Sequence, residues 1–95
     1  MLITVPTAAS VAVSTLFSAD ELLQIQQCQG SGKDILTFQN LDGNHVWFEH
    51  KRDAAIASSI RIDAHTGTFD FSLDQLSDLH CIASTADNDV RVITR

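Results

Sequence analysis

DILTFQN-LDG-NHVWFEHKR over residues 34–52 and IASSIRID-AHTG-TFDFS over residues 56–72 decide the fold. In each stretch, alternating apolar residues run up to a glycine-bearing turn and away from it. Period-two alternation broken by Gly, Asp and Asn is the signature of hairpins. Together the two stretches predict a four-stranded antiparallel meander over about residues 34–72.

Register follows from matching apolar faces. A two-residue Asp42-Gly43 turn sets Val46 against Gln39 and Phe48 against Thr37, mixing apolar with polar on each face. A three-residue loop, Leu41-Asp42-Gly43 with Gly43 left-handed in a bulge, pairs Phe38 with Val46 and Leu36 with Phe48. In the second stretch a two-residue Thr66-Gly67 turn needs positive φ at a β-branched Thr. It also sets Asp63 against Asp70. A four-residue loop, Ala64 to Gly67, instead pairs Ile62 with Phe69, Ile60 with Phe71, and Arg61 with Asp70. Asp63 then caps the turn.

Helix signals flank the meander. Ser18-Ala19-Asp20-Glu21 is a capping box, predicting a helix over about 19–29 that stops at Gly30. Ser72-Leu73-Asp74-Gln75 is a second, predicting a helix over about 73–83 with Leu73, Leu76, Leu79 and Ile82 or Ala83 inward. Residues 2–5 suit a short edge strand ended by Pro6, and a closing strand falls over about 89–94. The predicted class is α+β, with the helices on one sheet face. Without a repeat or a linker to divide the chain, residues 1–95 are read as one domain.

Composition narrows the function. The chain is 44% hydrophobic with only one Pro and four Gly, which argues against disorder. Twelve acidic residues against six basic ones give a net charge of −6, which disfavours binding nucleic acid through its phosphates. Ten of the twelve acids are Asp, placed mostly at turns and helix starts rather than in the long-armed stripe that a DNA mimic would present. The apolar segment MLITVPTAASVAVSTLF lacks the Lys or Arg of a signal peptide. It is also too short and too rich in Ser and Thr to span a bilayer. These features predict a cytoplasmic protein with Cys28 and Cys81 reduced.

Chemistry-bearing motifs are sparse. Gly30-Ser31-Gly32-Lys33-Asp34 resembles the end of a phosphate loop, but the required earlier Gly is Gln27 and the final Ser or Thr is Asp34. His45 and His50, five apart on one strand, point to opposite faces. His65 lies in a loop, and His80 and Cys81 are neighbours that cannot share a helix face. No histidine pair has zinc-site spacing, so neither metal nor cofactor is expected. With no serine elbow and no metal helix, the expectation is a protein that is not an enzyme.

Trp47 stands out. Val46 and Phe48 face the core, so Trp47 faces the other side with His45 and Glu49. Arg61 and Asp70 lie further along the same expected face, with Ala55, Ala57 and Ser59 beside the indole. An aromatic among short side chains, rimmed by charge, has the makeup of a contact site. The predicted partner-binding set is therefore Trp47, His45, Glu49, Arg61 and Asp70. The reading is a small acidic inhibitor, adaptor or accessory factor that occupies the surface of another protein, one with a basic face, or pairs as a homodimer. Two alternatives stay open: a ligand pocket between sheet and helices, and a minor thiol- or His-dependent hydrolase using His80, Cys81 or Cys28.

Overall fold

Alternation fixes which side chains face inward: of the expected inner face Leu36, Phe38, Val46, Phe48, Ile62 and Phe71 are buried, while Ile60 is half-buried and Phe69 is 39% exposed. The partners are different. The computed structural model describes residues 1–95, apart from the side chains of residues 29 and 30. It is a mixed α+β fold with two four-stranded antiparallel sheets and little helix. In chain order the elements are β1 (Leu2–Val5), β2 (Val11–Ala12), a 3₁₀ turn (Val13–Leu16), α1 (Ala19–Gly30), β3 (Ile35–Asn40) and β4 (Val46–His50). There follow β5 (Ile60–Ile62), β6 (Thr68–Ser72), a second 3₁₀ turn (Leu73–Asp78), β7 (Leu79–Ala83) and β8 (Asn88–Thr94). The first sheet runs β1-β8-β3-β6 and the second β2-β7-β4-β5.

Of the seven connections between successive strands, only β4–β5 stays within one sheet. The expected single meander is thus corrected to a sandwich. β3 and β4 are not hairpin partners but face each other across the core, as do β5 and β6. Phe38 pairs with Phe69 of β6 and Val92 of β8, while Phe48 pairs with Ile60 and Cys81. The two rings meet at a tilt of 44° between the sheets, centroids 4.7 Å apart. The expected pairs Phe38–Val46, Leu36–Phe48, Ile62–Phe69, Ile60–Phe71 and Arg61–Asp70 are all replaced. A hairpin and a corner between stacked sheets place the same residues inside, so period-two patterning cannot separate them.

The core draws on both sheets. Leu36, Phe38, Val46, Phe48, Leu79, Cys81 and Val90 are fully buried. Phe71 closes an aromatic cluster with Phe38 and Phe48 at 5.8 and 5.7 Å. Fully burying side chains of this size is worth about 1.5–3 kcal/mol each.

The helices also differ from expectation. α1 forms where predicted, with Ser18 Oγ accepting from Glu21 N and Glu21 Oε1 accepting from Ser18 N. It does not cover a sheet face. It lies at one end of the sandwich, with Ile25 buried, Leu22 and Cys28 half-buried, and Leu23 54% exposed. The second capping box starts a 3₁₀ turn that ends at Asp78. Residues 79–83, expected to continue a helix, form β7 between β2 and β4. Among the described residues, no helix is long and apolar enough to cross a membrane.

The polar ends of the strands are fastened by side chains. Asn40 and Asn88 are buried, and Asn88 Nδ2 donates to Asn40 Oδ1 at 2.6 Å. Asn40 Nδ2 donates to the carbonyls of Asn44 and Ile62, and its Oδ1 also accepts from Asp42 N. Most buried polar groups are paired in this way. Together the two amides hold the β3–β4 corner against β8. Gly43 is not left-handed there, contrary to the expected bulge; among glycines with described side-chain surroundings only Gly32 has positive φ.

Candidate functional site

β4 is central in the second sheet, and its outer side carries Trp47 and Glu49 in the pattern the alternation predicts. Register sets Trp47 between Arg61 of β5 and Ile82 of β7, and Glu49 beside His80. The Arg61 guanidinium lies 6.0 Å from the centroid of the Trp47 ring, the outer limit for a cation–π contact. Its Nε is 2.7 Å from Asp63 Oδ1, which steadies it over the indole. His45, just before β4, is engaged by the second corner. Its Nδ1 accepts the Ala64 backbone N–H at 3.0 Å and lies 3.8 Å from Asp63 Oδ1. In that arrangement the ring hydrogen sits on Nε2.

Four of the five predicted residues, Trp47, His45, Glu49 and Arg61, share this region. Asp70 does not. It lies on the outer face of the other sheet, opposite Thr37. Thr37 Oγ1 donates to it at 2.6 Å, and Arg95 Nη2 reaches both of its oxygens at 3.1 and 3.3 Å. The Thr37 hydroxyl, and then the Arg95 guanidinium, hold its carboxyl below the usual carboxylate range despite some desolvation. The expected Arg61–Asp70 pair becomes Arg61–Asp63 and Arg95–Asp70 because the chain changes sheet between residues 62 and 68.

Sequence reasoning missed the segment over residues 51–59. Stretch 56–59 was expected to be strand, with Ala55 and Ala57 in a row beside Trp47; the strand begins only at Ile60. The segment returns across the outer side of the sheet. Ala54 N donates to Ser10 Oγ at 2.9 Å, and Ser10 immediately precedes β2, level with Ile82 in the register. Ala54 is buried while Ile56 is 46% exposed. Lys51 and Ala57 both take left-handed φ near 70°, an uncommon conformation for residues with a Cβ. The signal was present in the sequence: RDAAIASS, residues 52–59, lacks the alternation of its neighbours, with Ile56 its one large apolar residue.

Glu49 is absorbed by this segment. It pairs with Arg52 at 3.3 Å and accepts from Ser59 Oγ at 3.1 Å, leaving its side chain 17% exposed. A recess of about 350 Å³ lies between Glu49, Arg52, Asp53, Ala55, Ser58 and Ser59. Beside it Trp47 is half-buried, and Trp47 Nε1 and His80 Nδ1 are buried with no hydrogen-bond partner. An unpaired buried donor costs about 1–3 kcal/mol.

Groups that could serve chemistry are dispersed. His80 and Cys81, neighbours on β7, point to opposite sides, His80 outward and Cys81 into the core. Burial pushes the Cys81 thiol up to about 12, so it holds no appreciable thiolate near neutral pH. A raised thiol pKa contributes stability that is complete below the ordinary thiol value and is lost as pH rises toward 12. The alkaline limb of a stability–pH curve should therefore flatten in Cys81→Ala. Cys28 is half-buried, with Sγ 3.5 Å from Thr94 Oγ1, and both cysteines are free. Among the described residues no group of three or more His, Cys, Asp or Glu is placed to hold a metal ion.

A second concavity lies where α1 meets the two 3₁₀ turns. It has a volume of about 460 Å³ and a floor of Leu22, Ile25, Leu73 and Leu76, with Ser14, Gln26, Asp74 and Ser77 at its rim. Comparison of the chain with family models, with curated proteins and with solved structures gives no match.

Proposed function

We propose that this chain is a small acidic protein-binding module, an inhibitor, adaptor or accessory factor that acts by occupying a partner's surface, without catalysis. The observation that carries the reading is Trp47: a half-buried indole on an outer sheet face, with the Arg61 guanidinium 6.0 Å from the centroid of its ring. Trp and Arg supply a large share of binding energy where they meet a partner. Trp47, Arg61 and His45 form the contact set, with Glu49 anchoring the neighbouring segment. Asp70 is left out of this set, because it stands on the other sheet. The net charge of −6 favours a partner with a basic surface and speeds encounter with it.

The test begins with capture of a stoichiometric partner from the native host and titration of the purified pair. Arg61→Glu and Trp47→Ala, each checked for native circular dichroism, should weaken binding at least about tenfold, or roughly 1.4 kcal/mol. Unchanged affinity in both folded variants would remove the Trp47 face from the interface.

A second reading rests on the groove beside α1. Its apolar floor and polar rim have the makeup of a small-molecule site. In a ligand screen by NMR, that reading requires shifts centred on Leu22, Ile25, Leu73 and Leu76; shifts scattered over the surface would count against it.

A further inference from the structure

The four edge strands are not equally protected. β2 has two residues, β5 has three, and β1 ends at Pro6. β6 has five, Thr68–Ser72, with no Pro, Lys or Arg among them. Long edges without such guards are templates for another strand. Phe69 points inward on β6 yet is 39% exposed, because the aromatic cluster reaches the open side of the sandwich there. Its ring lies 4.9 Å from that of Phe71.

The hydrogen bonds fix which groups of β6 are free. Asn40 N donates to Gly67 O, and Leu73 N donates to Asp34 O. Alternate residues of an antiparallel strand bond to the same neighbour. Hence Phe69 and Phe71 direct their backbone groups at β3, while Thr68, Asp70 and Ser72 direct theirs at the open edge. The Ser72 N–H is already taken by Gln75 Oε1 at 2.9 Å. Two residues with both backbone groups free remain, Thr68 and Asp70.

We infer that β6 pairs antiparallel with β6 of a second copy of this chain, about a two-fold axis passing between the two Phe69 residues. Centred there, Thr68 of each copy exchanges both backbone hydrogen bonds with Asp70 of the other, using all the free groups in four bonds. Other centres fit worse. A centre at Asp70 sets two carboxylates directly opposite, which is unfavourable, and calls on the occupied Ser72 N–H. A centre at Thr68 calls on Thr66, whose N–H is bonded to Ala64 O in the turn.

Side chains agree with this register. Phe69 meets Phe69 in a non-hydrogen-bonded pair, where Cα atoms approach to about 4.5 Å and side chains are closest. The aromatic cluster then becomes continuous across the axis. On the outer face the Thr68 hydroxyl stands opposite the Asp70 carboxylate of the other copy, and Arg95 already neutralises that carboxylate. The same patch of each copy serves both sides of a closed two-fold contact. The first sheet becomes eight strands wide.

Light scattering over a concentration series tests the association. The mass should rise from 10.4 kDa toward twice that value. Thr68→Pro removes an N–H that the folded chain does not use, so it should keep native Trp47 emission and weaken the dimer at least tenfold. Register is tested by oxidation in a Cys28→Ser background, where Phe69→Cys should cross-link between copies and Thr68→Cys should not. Hydrogen exchange of the wild-type chain gives a reading without any variant: the Thr68 and Asp70 amides should become protected as concentration rises. A mass of 10.4 kDa at every concentration would overturn the inference. So would a dimer that cross-links through Thr68→Cys but not Phe69→Cys, or one whose Thr68 and Asp70 amides stay unprotected.

Discussion

The two glycine-bearing connections, residues 41–45 and 63–67, carry the chain from one sheet to the other by different physical means. At 41–45 the backbone is held by side chains: the buried Asn40 and Asn88 amides bond to it from below. Gly43 has room for a Cβ, whose nearest neighbour would be His65 Cε1 at 3.6 Å. At 63–67 the backbone packs on itself. A Cβ at Gly67 would lie 2.5 Å from both Asp63 N and Asp63 O. Only the second glycine is required by the space around it. Two glycines that look alike in sequence do different work, and what settles the difference is how close the backbone comes to something else.

Three substitutions bear on that contrast, in falling order of effect. Asn40→Leu keeps the branching of the side chain, though not its volume, at a fully buried site and strips Asp42 N, Asn88 Nδ2 and two carbonyls of a partner. With about 1–3 kcal/mol for each buried group left unpaired, and some relief through water, the expected loss is about 4 kcal/mol in urea unfolding. A loss under about 1 kcal/mol would mean that the amide network is not what holds the first corner. Gly67→Ala forces Asp63 aside and should cost about 2–3 kcal/mol by the same measurement. Gly43→Ala should stay within about 0.5 kcal/mol of wild type. If the two glycine variants exchanged places, the contrast between the corners would be reversed.

How far the fold was legible follows from the same contrast. Inward residues were readable because alternation is a property of one strand: Leu36, Phe38, Val46, Phe48, Ile62 and Phe71 are all buried. Pairing was not, because it depends on whether a turn folds back within a sheet or crosses to the other, and both outcomes satisfy the same pattern. The second helix was misread for a related reason. Leu73, Leu76 and Leu79 recur every third residue, which suits a 3₁₀ turn as well as an α-helix. The sequel Leu79, Cys81, Ala83 is already a period of two.

The candidate site was partly legible. Trp47 and Glu49 were assigned to the outward side by alternation, and they lie there. Arg61 joined them because β4–β5 is the connection that remains in its sheet. Asp70 was misplaced because it lies beyond a corner read as a hairpin. The segment over residues 51–59 was missed because its position depends on a long-range bond from Ala54 to Ser10, which no local pattern announces.

The central claim is that β3 and β4 lie in opposite sheets, which separates Asp70 from Arg61 and leaves Trp47 on a face of its own. Proton NMR tests it most directly, because Hα atoms of non-hydrogen-bonded antiparallel pairs approach closely. The sandwich predicts an Hα–Hα contact between Thr37 and Asp70, and another between Gln39 and Thr68. Backbone contacts between Thr37 and Trp47, which a β3–β4 hairpin requires, would contradict it.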